Sequence, residues 1–264
     1  MITSRFVAVV TAAGEATRFR PFSHAIPKEM LPIGARPALD LVIDECVAAG
    51  ANEVIVVTRP GDQVVPAHLD ATPHRSVRVD VVEEDVGHGY GNAAPLLTLR
   101  ERLGTCDLFL VAFGDDVLLP CCAAGRDLRT MGRLADHGAG AGAVIAAQRV
   151  RVEQSGSFGI IDTAVEEADL VTGIRQRPDP ATVTEPLAVV SRLILRPSIL
   201  PLLRATEEAR GELDLGIAAA RLARTGVVRV HRLESAWVTV GDPRSYHHAL
   251  DTYWSLHTED ASWR

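Results

Sequence analysis

Three cationic side chains follow a loop of small residues near the amino terminus. The loop, residues 12–16 (Ala-Ala-Gly-Glu-Ala), comes directly after an apolar run, and Arg18, Arg20 and Lys28 follow it. Small residues let the backbone approach a ligand, and consecutive N–H groups can hold phosphate oxygens. We interpret the loop and its cations as a polyphosphate site. The alternative is a surface turn with solvated arginines.

Lys28 is the only lysine among the 27 lysine and arginine residues of the chain. Lysine carries a compact point charge with three rotatable donors, whereas arginine presents a rigid planar fork. A position that keeps lysine in such a chain is typical of a crowded site, where the charge lies between phosphate oxygens. Chance retention of one surface lysine is the alternative.

A pair of carboxylates, Asp115 and Asp116, follows the strongly apolar run 108–113. Such a run predicts a buried strand, and ligands bind at the carboxyl ends of strands in open α/β sheets. Mg²⁺ usually takes one or two carboxylates together with substrate phosphates, so Asp115 is a candidate metal ligand. A turn capped by an aspartate side chain is the alternative.

The apolar pattern predicts the elements that must position these residues. Residues 6–10 and 54–57 are apolar runs typical of buried strands, and apolar residues recur at helical spacing between Pro37 and Gly50. Strands and helices continue to alternate up to about residue 150. This alternation predicts an α/β fold with a Rossmann-like, mostly parallel mixed sheet and helices on both faces.

The pattern changes after about residue 150. Short candidate strands mix with helices expected near residues 197–209 and 213–224, and no long linker separates the two parts. We therefore expect two lobes on a shared core, residues 1–140 and residues 141–264, of which the second is a smaller α/β lobe.

The composition limits the classes of partner. The net charge of −7 argues against a nucleic-acid polymer, although a nucleotide needs only a few local cations. No apolar run is long enough to span a membrane, and the amino terminus has no signal-peptide pattern. The four cysteines show no metal-ligand spacing, and we expect reduced thiols in a cytoplasmic protein.

Two stretches near the amino terminus carry a specific resemblance. Residues 12–19 are similar to Ala-Ala-Gly-Leu-Gly-Thr-Arg-Phe, and residues 24–33 to Lys-Ala-Ile-Pro-Lys-Glu-Met-Leu-Pro-Ile. The chain resembles the sugar-1-phosphate nucleotidyltransferases, most closely the bacterial UTP–glucose-1-phosphate uridylyltransferases, in which these motifs occur in this order. Further similar stretches are Gly89-Tyr90-Gly91-Asn92-Ala93, Gly114-Asp115-Asp116-Val117, Phe158-Gly159-Ile160-Ile161-Asp162, Leu187-Ala188-Val189-Val190-Ser191-Arg192, Gly211-Glu212-Leu213-Asp214-Leu215 (Gly-Glu-Ile-Gln-Leu in the family) and Val240-Gly241-Asp242.

The resemblance implies nucleotidyl transfer, in which an oxygen of a sugar 1-phosphate attacks the α-phosphate of a nucleoside triphosphate and pyrophosphate leaves. It also implies Mg²⁺ as the cofactor, a homo-oligomer, and nucleotide-binding and sugar-phosphate-binding roles for the first and second lobes. The implied catalytic residues are Arg18, Lys28 and Asp115, with Asp115 as the metal ligand. The implied nucleotide-binding residues are Ala12, Ala13, Gly14, Glu15, Glu84, Gly89 and Asp116. The implied sugar-phosphate-binding residues are Gly159, Gln176, Arg177, Arg192 and Glu212.

The chain departs from the family pattern at positions that matter for chemistry. Ala16 replaces a glycine, which is tolerable unless the backbone there needs a positive φ. The family's Glu-Lys-Pro is Gln176-Arg177-Pro178, so a carboxylate that accepts sugar hydroxyls becomes an amide, and the acceptor need not be glucose. Thr239 stands where the family has its second metal-binding aspartate, and a hydroxyl is a poor Mg²⁺ ligand beside a carboxylate.

A fourth departure concerns the nucleobase. The family reads uracil with a glutamine, whereas this chain has Glu83-Glu84-Asp85 in that stretch. A carboxylate cannot donate to a uracil carbonyl, but it can accept two hydrogen bonds from the N1–H and N2–H₂ edge of guanine. We therefore expect GTP to compete with UTP.

Three functional hypotheses remain open from the sequence. The first is an active, Mg²⁺-dependent transferase, which explains why Arg18, Lys28 and Asp115 are present. The second is a degenerate homologue that binds a nucleotide or nucleotide sugar without turnover, which explains Thr239 and Gln176. The third is a variant of the first, a GTP-using enzyme that acts on a modified sugar or cyclitol phosphate.

Overall fold

A nine-stranded sheet forms the centre of the computed structural model, which describes residues 6–72, 76–120, 123–137, 140–205 and 211–257. Its strand order is β10-β9-β11-β6-β1-β4-β5, and β8 pairs with both β11 and β12. The strands in the described residues are β1 (Phe6–Ala12), β2 (Pro32–Ile33), β3 (Arg36–Pro37), β4 (Glu53–Thr58), β5 (Arg78–Glu83), β6 (Leu108–Phe113), β7 (Asp116–Leu119), β8 (Ala143–Arg149), β9 (Gly159–Thr163), β10 (Val171–Gln176), β11 (Leu187–Leu195), β12 (Val228–Arg232) and β13 (Ala236–Thr239). The α-helices are α1 (Ala38–Ala48), α2 (Val64–Ala71), α3 (Ala94–Thr98), α4 (Arg100–Gly104), α5 (Arg126–His137), α6 (Leu215–Thr225) and α7 (Pro243–Leu256).

The strand directions divide the sheet into two parts. Strands β6, β1, β4 and β5 are parallel to one another, as the alternating pattern of the first half predicts. Strand β11 pairs with β6 in the antiparallel direction, and β8 and β9 also pair with β11 in the antiparallel direction. The α/β class and the Rossmann-like arrangement are therefore confirmed. The sheet continues across residue 140, and the division into lobes at that residue stays a prediction.

Helices cover both faces of the sheet. The side chains of β1 alternate between two apolar clusters: Ala8 and Val10 pack with α1 and α5, whereas Val7 and Val9 pack with α3 and α6. Because successive side chains of a strand point to opposite faces, a fully apolar strand can supply both clusters. This explains why the predicted strands are continuous apolar runs.

Two elements differ from the sequence prediction. The helix expected near residues 197–209 is a 3₁₀ helix at Pro197–Leu202 that contains Pro201, and residues 206–210 lie outside the described part. Proline lacks an N–H donor and clashes with the preceding turn, so an α-helix does not continue there. The pairing of β7 with β13, which has no signature in either segment alone, was not predicted.

No helix among the described residues has the length and apolar character needed to cross a membrane. Cys46 and Cys106 are buried and form no disulfide, whereas Cys121 and Cys122 lie outside the described residues.

The structure corrects the expectation that Arg192 binds the sugar phosphate. Its side chain is 0% exposed and lies beneath the site, where Nη2 is 2.8 Å from Glu45 Oε2 on α1. The same nitrogen donates to the Asp116 carbonyl (2.8 Å), and Nη1 donates to the Ser191 carbonyl (3.0 Å). A guanidinium is well suited to such multiple contacts because its donors form a rigid fork. Arg192 therefore joins α1, β7 and β11.

Removing one partner of the Glu45–Arg192 pair should strongly destabilise the fold. Arg192→Met leaves a buried carboxylate without its cation, which we expect to cost about 3–5 kcal/mol in the free energy of unfolding. The double variant Glu45→Leu/Arg192→Met should lose less than the two single variants together, because it leaves no unpaired charge. Urea denaturation measures all three values.

An exposed ion pair supplies the control for this experiment. Arg149 and Glu185 form a pair whose side chains are 66% and 49% exposed, so Glu185→Ala should cost less than about 1 kcal/mol. Single Glu45 and Arg192 variants that cost no more than this control would contradict the structural role of the buried pair.

Candidate active site

The carboxyl ends of parallel strands bring the amino-terminal loop and the acidic stretch to one edge of the sheet. In the parallel register Ala12 lies opposite Thr58, and Thr58 lies opposite Glu83. Glu84 follows directly, and its N–H donates to the Thr58 carbonyl (2.8 Å). The loop residues 13–15 and Glu84 therefore follow β1 and β5, the two strands that flank β4, at the same edge of the sheet.

The loop presents unused backbone donors. Within the described residues, the N–H groups of Gly14, Glu15 and Ala16 donate to no protein acceptor. Ala16 adopts the left-handed conformation, with φ 50° and ψ 41°. Ala16 therefore has the positive φ at which glycine is favoured over alanine. This conformation costs a non-glycine residue about 1–2 kcal/mol. Successive free N–H groups beside a left-handed residue form a concave site suited to anions.

Lys28 connects this loop to the carboxylate turn. Its Nζ lies 2.5 Å from Asp115 Oδ2 and 3.8 Å from Glu29 Oε1. A Cβ at Gly14 would lie 3.2 Å from Lys28 Nζ, so the small residue permits this close approach. Burial lowers the pKa of Lys28, but the charges of Asp115 and Glu29 outweigh burial and raise it above its ordinary value. The ammonium therefore stays charged at neutral pH.

Glu29 is a buried carboxyl group that the sequence pattern did not single out. Burial raises the pKa of Glu29 to about 7, although the neighbouring Lys28 charge acts in the opposite direction. Its Oε2 has no hydrogen-bond partner. Glu29 can therefore exchange a proton near neutral pH beside the Lys28 ammonium.

Asp116 lies at the base of the site and is also buried. Its Oδ2 accepts a hydrogen bond from Ser191 Oγ, and its carbonyl accepts one from Arg192. Burial, followed by the charge of Asp115, raises the pKa of Asp116 to about 6. A cation near Asp115 would favour the ionised form of Asp116.

The pairing of β7 with β13 brings Thr239 opposite Asp116. Thr239 Oγ1 donates to the Asp115 carbonyl (3.3 Å) and accepts from the Gly241 N–H (3.1 Å). A Cβ at Gly241 would lie 3.2 Å from Thr239 Oγ1, 3.3 Å from Asp115 Oδ2 and 3.5 Å from Arg18 Nη2. A hydroxyl, a carboxylate and a guanidinium therefore converge at this glycine.

Asp242 is occupied by a structural task. Its Oδ1 accepts from the N–H groups of Arg244 and Ser245, each at 3.0 Å, and its Oδ2 accepts from Ser245 Oγ (2.7 Å). These bonds cap the amino terminus of α7. Arg18 Nη1 lies 3.6 Å from Asp242 Oδ2, although the Arg18 side chain is 67% exposed. Asp242 is thus placed to orient Arg18. Because its oxygens already accept the capping hydrogen bonds, it does not take the place of the metal-binding carboxylate that Thr239 lacks.

Arg18, the two aspartates of the carboxylate turn and the residues around Gly241 line a cleft of about 600 Å³. Among the predicted site residues, the structure brings six to its wall: Arg18, Asp115, Asp116, Gly159, Gln176 and Arg177. Lining residues that sequence patterns did not place in a role include Asn92, Ser191, Asp214, Gly216 and Trp237. Asp214 had one available signal, since an aspartate directly before an apolar helical pattern predicts a helix cap.

Several predicted residues, including Lys28 and Arg192, lie outside this wall. Ala12 to Glu15, Glu84 and Gly89 belong to the sheet edge described above or to the loop that follows it. Glu212 is exposed and is not a lining residue, whereas Asp214, two residues later, is. Among the described residues, no three His, Cys, Asp or Glu side chains are grouped as a metal site.

Ala16→Gly should relieve strain in the loop. The left-handed conformation costs alanine about 1–2 kcal/mol, and glycine normally costs about 0.5–1 kcal/mol through chain entropy. We therefore expect the free energy of unfolding to stay constant or to rise by up to about 1 kcal/mol. The matched control is Ala67→Gly in the exposed face of α2, which should lose about 1 kcal/mol. Equal losses in both variants, measured by urea denaturation, would show that Ala16 is not strained.

Comparison with known proteins matches this geometry to a family. The profile of the family described as nucleotidyl transferase matches residues 7–255. UTP–glucose-1-phosphate uridylyltransferase 1 of Staphylococcus saprophyticus is 28% identical over 259 residues, with 89% of this chain and 88% of the relative covered. UTP–glucose-1-phosphate uridylyltransferase of Pseudomonas aeruginosa is also 28% identical, with 89% and 91% covered.

Solved structures show the same fold. A UDP-glucose pyrophosphorylase complexed with UDP-glucose superimposes with a TM-score of 0.83 at 21% identity, covering 94% of this chain and 98% of that chain. The UTP-bound UGPase from Acinetobacter baumannii gives a TM-score of 0.80 at 24% identity, covering 98% and 99%. Since the family profile spans nearly all of the sequence, the chain belongs to the nucleotidyl transferase family, which confirms the resemblance found in its motifs.

Proposed function

We propose that this chain transfers the UMP group of UTP to the phosphate of a sugar 1-phosphate and releases pyrophosphate. The observation that carries the proposal is the half-buried Lys28–Asp115 contact of 2.5 Å between a loop with free N–H groups and a polar cleft. The relatives are named for UTP and glucose 1-phosphate, which suggests the donor and the class of acceptor.

The proposed reaction is an in-line displacement at the α-phosphorus of UTP. An oxygen of the acceptor phosphate forms the new P–O bond, and the bond from the α-phosphorus to the bridging oxygen breaks. Pyrophosphate leaves with the electron pair, and a nucleotide sugar remains. Such displacements are catalysed mainly by positioning and by electrostatic stabilisation of the phosphate oxygens.

Three cations and the loop supply that stabilisation in our proposal. Lys28 and the N–H groups of residues 14–16 bind the triphosphate, and Arg18 neutralises the charge that develops on the leaving pyrophosphate. Arg177 binds the acceptor phosphate. It has a φ of 46° in front of Pro178, and its N–H is held by the Phe158 carbonyl (2.9 Å). A left-handed arginine at a cleft is strained, and strain of this kind is characteristic of ligand sites.

The donor groups of this chain fit Mg²⁺ in part. Asp115 and Asp116 are adjacent carboxylates on the cleft wall, and Mg²⁺ commonly needs only one or two carboxylates when substrate phosphates complete its shell. We propose Asp115 as the ligand, with Asp116 as the nearest second carboxylate. When bound, Mg²⁺ would neutralise phosphate charge. Thr239 weakens the site, which is the observation that favours a degenerate homologue as the second candidate.

Glu84 favours a further variant in which GTP is the donor. Its neighbours are engaged: Glu83 Oε1 accepts from the Gly61 N–H (3.2 Å), and Asp85 Oδ1 accepts from the Gly87 N–H (2.9 Å). Burial raises the pKa of Glu84, but no hydrogen bond to its carboxyl group is present within the described residues. A free carboxylate can accept from guanine but cannot donate to uracil.

Three broader predictions accompany the proposed activity. We propose a cytoplasmic location, a homo-oligomer, and a nucleotide-binding lobe (1–140) joined to a sugar-phosphate-binding lobe (141–264). Their support is the absence of a candidate membrane span in the described residues, together with the resemblance to the family.

Pyrophosphate release tests the proposed function. The purified protein with Mg²⁺ should release pyrophosphate from UTP and a sugar 1-phosphate, whereas Lys28→Arg should reduce kcat by about 10- to 100-fold because a planar guanidinium does not fit under Gly14. UTP, GTP, dTTP, CTP and ATP are each tested with several sugar and cyclitol phosphates. Faster pyrophosphate release with GTP than with UTP would show that GTP is the donor. Nucleotide binding without release in every combination would support the degenerate homologue.

Thr239→Asp should strengthen metal binding. A second carboxylate facing Asp115 should raise the affinity for Mn²⁺, used as a paramagnetic probe, by about tenfold. The matched control is Thr239→Asn, which has the same shape but no charge. Electron paramagnetic resonance measures free Mn²⁺ without any need for turnover. Equal affinities in the Asp and Asn variants would exclude this position from the metal site.

A further inference from the structure

A second polar group of residues lies in the cleft beyond the Lys28–Asp115 contact. Gln176, at the end of β10, donates from Nε2 to Asp214 Oδ1 (3.4 Å). Asp214 is the residue before α6, and its Oδ1 also accepts from the Ile217 N–H (2.9 Å). Both side chains are half-buried and line the cleft. The strand and the helix thus present one amide and one carboxylate side by side.

The unused atoms of this pair are acceptors. Oδ1 of Asp214 receives both hydrogen bonds, and within the described residues its Oδ2 has no partner. The amide nitrogen of Gln176 is directed to Asp214, which leaves the amide oxygen for a ligand. The pair is therefore suited to a ligand that offers two neighbouring donors.

Two glycines make room for the Gln176 amide. A Cβ at Gly216, in the first turn of α6, would lie 2.4 Å from Gln176 Nε2 and 3.1 Å from Asp214 Oδ1. A Cβ at Gly159, the cross-strand partner of Gln176, would lie 3.2 Å from both amide atoms. The amide keeps its place because neither neighbour has a side chain.

The pair is the reverse of the arrangement in the motifs that this chain resembles. Those motifs have a glutamate at the position of Gln176 and a glutamine at the position of Asp214. The structure brings both positions within 3.4 Å, which the distant motifs do not reveal. The carboxylate is therefore not lost from the cleft but has moved from the strand to the start of the helix.

We propose that Asp214, oriented by Gln176, binds a pair of neighbouring hydroxyls on the ring of the acceptor and so determines which acceptor is used. The inference rests on the proposed transferase function. The acceptor class is a neutral polyhydroxylated ring 1-phosphate. A ring with its own carboxylate, as in a uronic acid 1-phosphate, is repelled by Asp214. Hydrogen bonds to an ionised acceptor are stronger than neutral ones, so the lost contact is measurable.

Single-deoxy analogues of the best acceptor test the contact. With the wild-type protein, removal of a hydroxyl that Asp214 binds should lower kcat/KM by about 10- to 100-fold. The Asp214→Asn variant still caps α6. Its kcat/KM for the full acceptor should be lower than that of the wild-type protein by a similar factor, and the deoxy analogue should lower kcat/KM little further. The KM for UTP should not change. The control is Asp179→Asn, another capping aspartate, which accepts from the Ala181 N–H (3.0 Å) and does not line the cleft.

Gly216→Ala gives an independent readout. The added methyl should displace the Gln176 amide and raise the KM for the acceptor several-fold. The melting temperature should not fall, because alanine is the better helix former. A purely structural role for the pair would not produce a weaker acceptor site in a protein of equal or higher stability.

The outcomes separate this inference from the proposed function. If Asp214→Asn turns over and the deoxy analogue lowers its kcat/KM as much as it does in the wild-type protein, the role of Asp214 is overturned and the proposed transferase function stands. An acceptor with a ring carboxylate as the best substrate would also overturn it. If no combination of nucleotide and acceptor released pyrophosphate, the proposed function would be overturned, and this inference with it.

Discussion

The buried guanidinium of Arg192 is the interaction on which the geometry of the site depends. It has no contact with solvent, so its charge must be met by Glu45 on α1, and its remaining donors must be met by backbone carbonyls. One of those carbonyls belongs to Asp116, in the turn that also holds Asp115. A fully buried charge therefore determines where the carboxylate turn lies.

The position of that turn is passed on by direct contact. Asp115 binds Lys28 at 2.5 Å, and Lys28 fits beneath the loop only because Gly14 has no side chain. Helix α1, strand β11, the carboxylate turn and Lys28 are thus linked through three polar contacts. The contacts of Arg192 are shielded from water, which makes them strong when satisfied and costly when broken.

The electrostatics of the site reflect the same burial. Glu29 and Asp116 are both buried near Asp115. Burial raises the pKa of Glu29 to about 7 and the pKa of Asp116 to about 6. Without a ligand, crowded carboxyl groups compete for a single ammonium. Cations and phosphates that enter together would change which of them are ionised.

The sequence by itself determined the fold class, and it predicted the residues of the proposed phosphate site. Continuous apolar strands such as β1 and β4 appear as local patterns, and the loop, Lys28 and Asp115 lie in short motifs whose residues are neighbours in the chain. Burial could not be read in this way. Arg192 looks like an accessible cation in a motif, but the antiparallel addition of β11 to β6 places it in the interior.

Only the tertiary structure decided the acceptor end of the cleft. Gln176 and Asp214 come from different elements and are 38 residues apart, so their contact has no local pattern. Thr239 faces Asp116 only because β13 pairs with β7, a pairing of long sequence separation. Periodicity reports which face of an element is apolar, whereas non-local pairing determines which polar side chains meet. This is why the sequence predicted the loop that we propose to bind phosphate, whereas the Gln176–Asp214 pair became evident only in the folded chain.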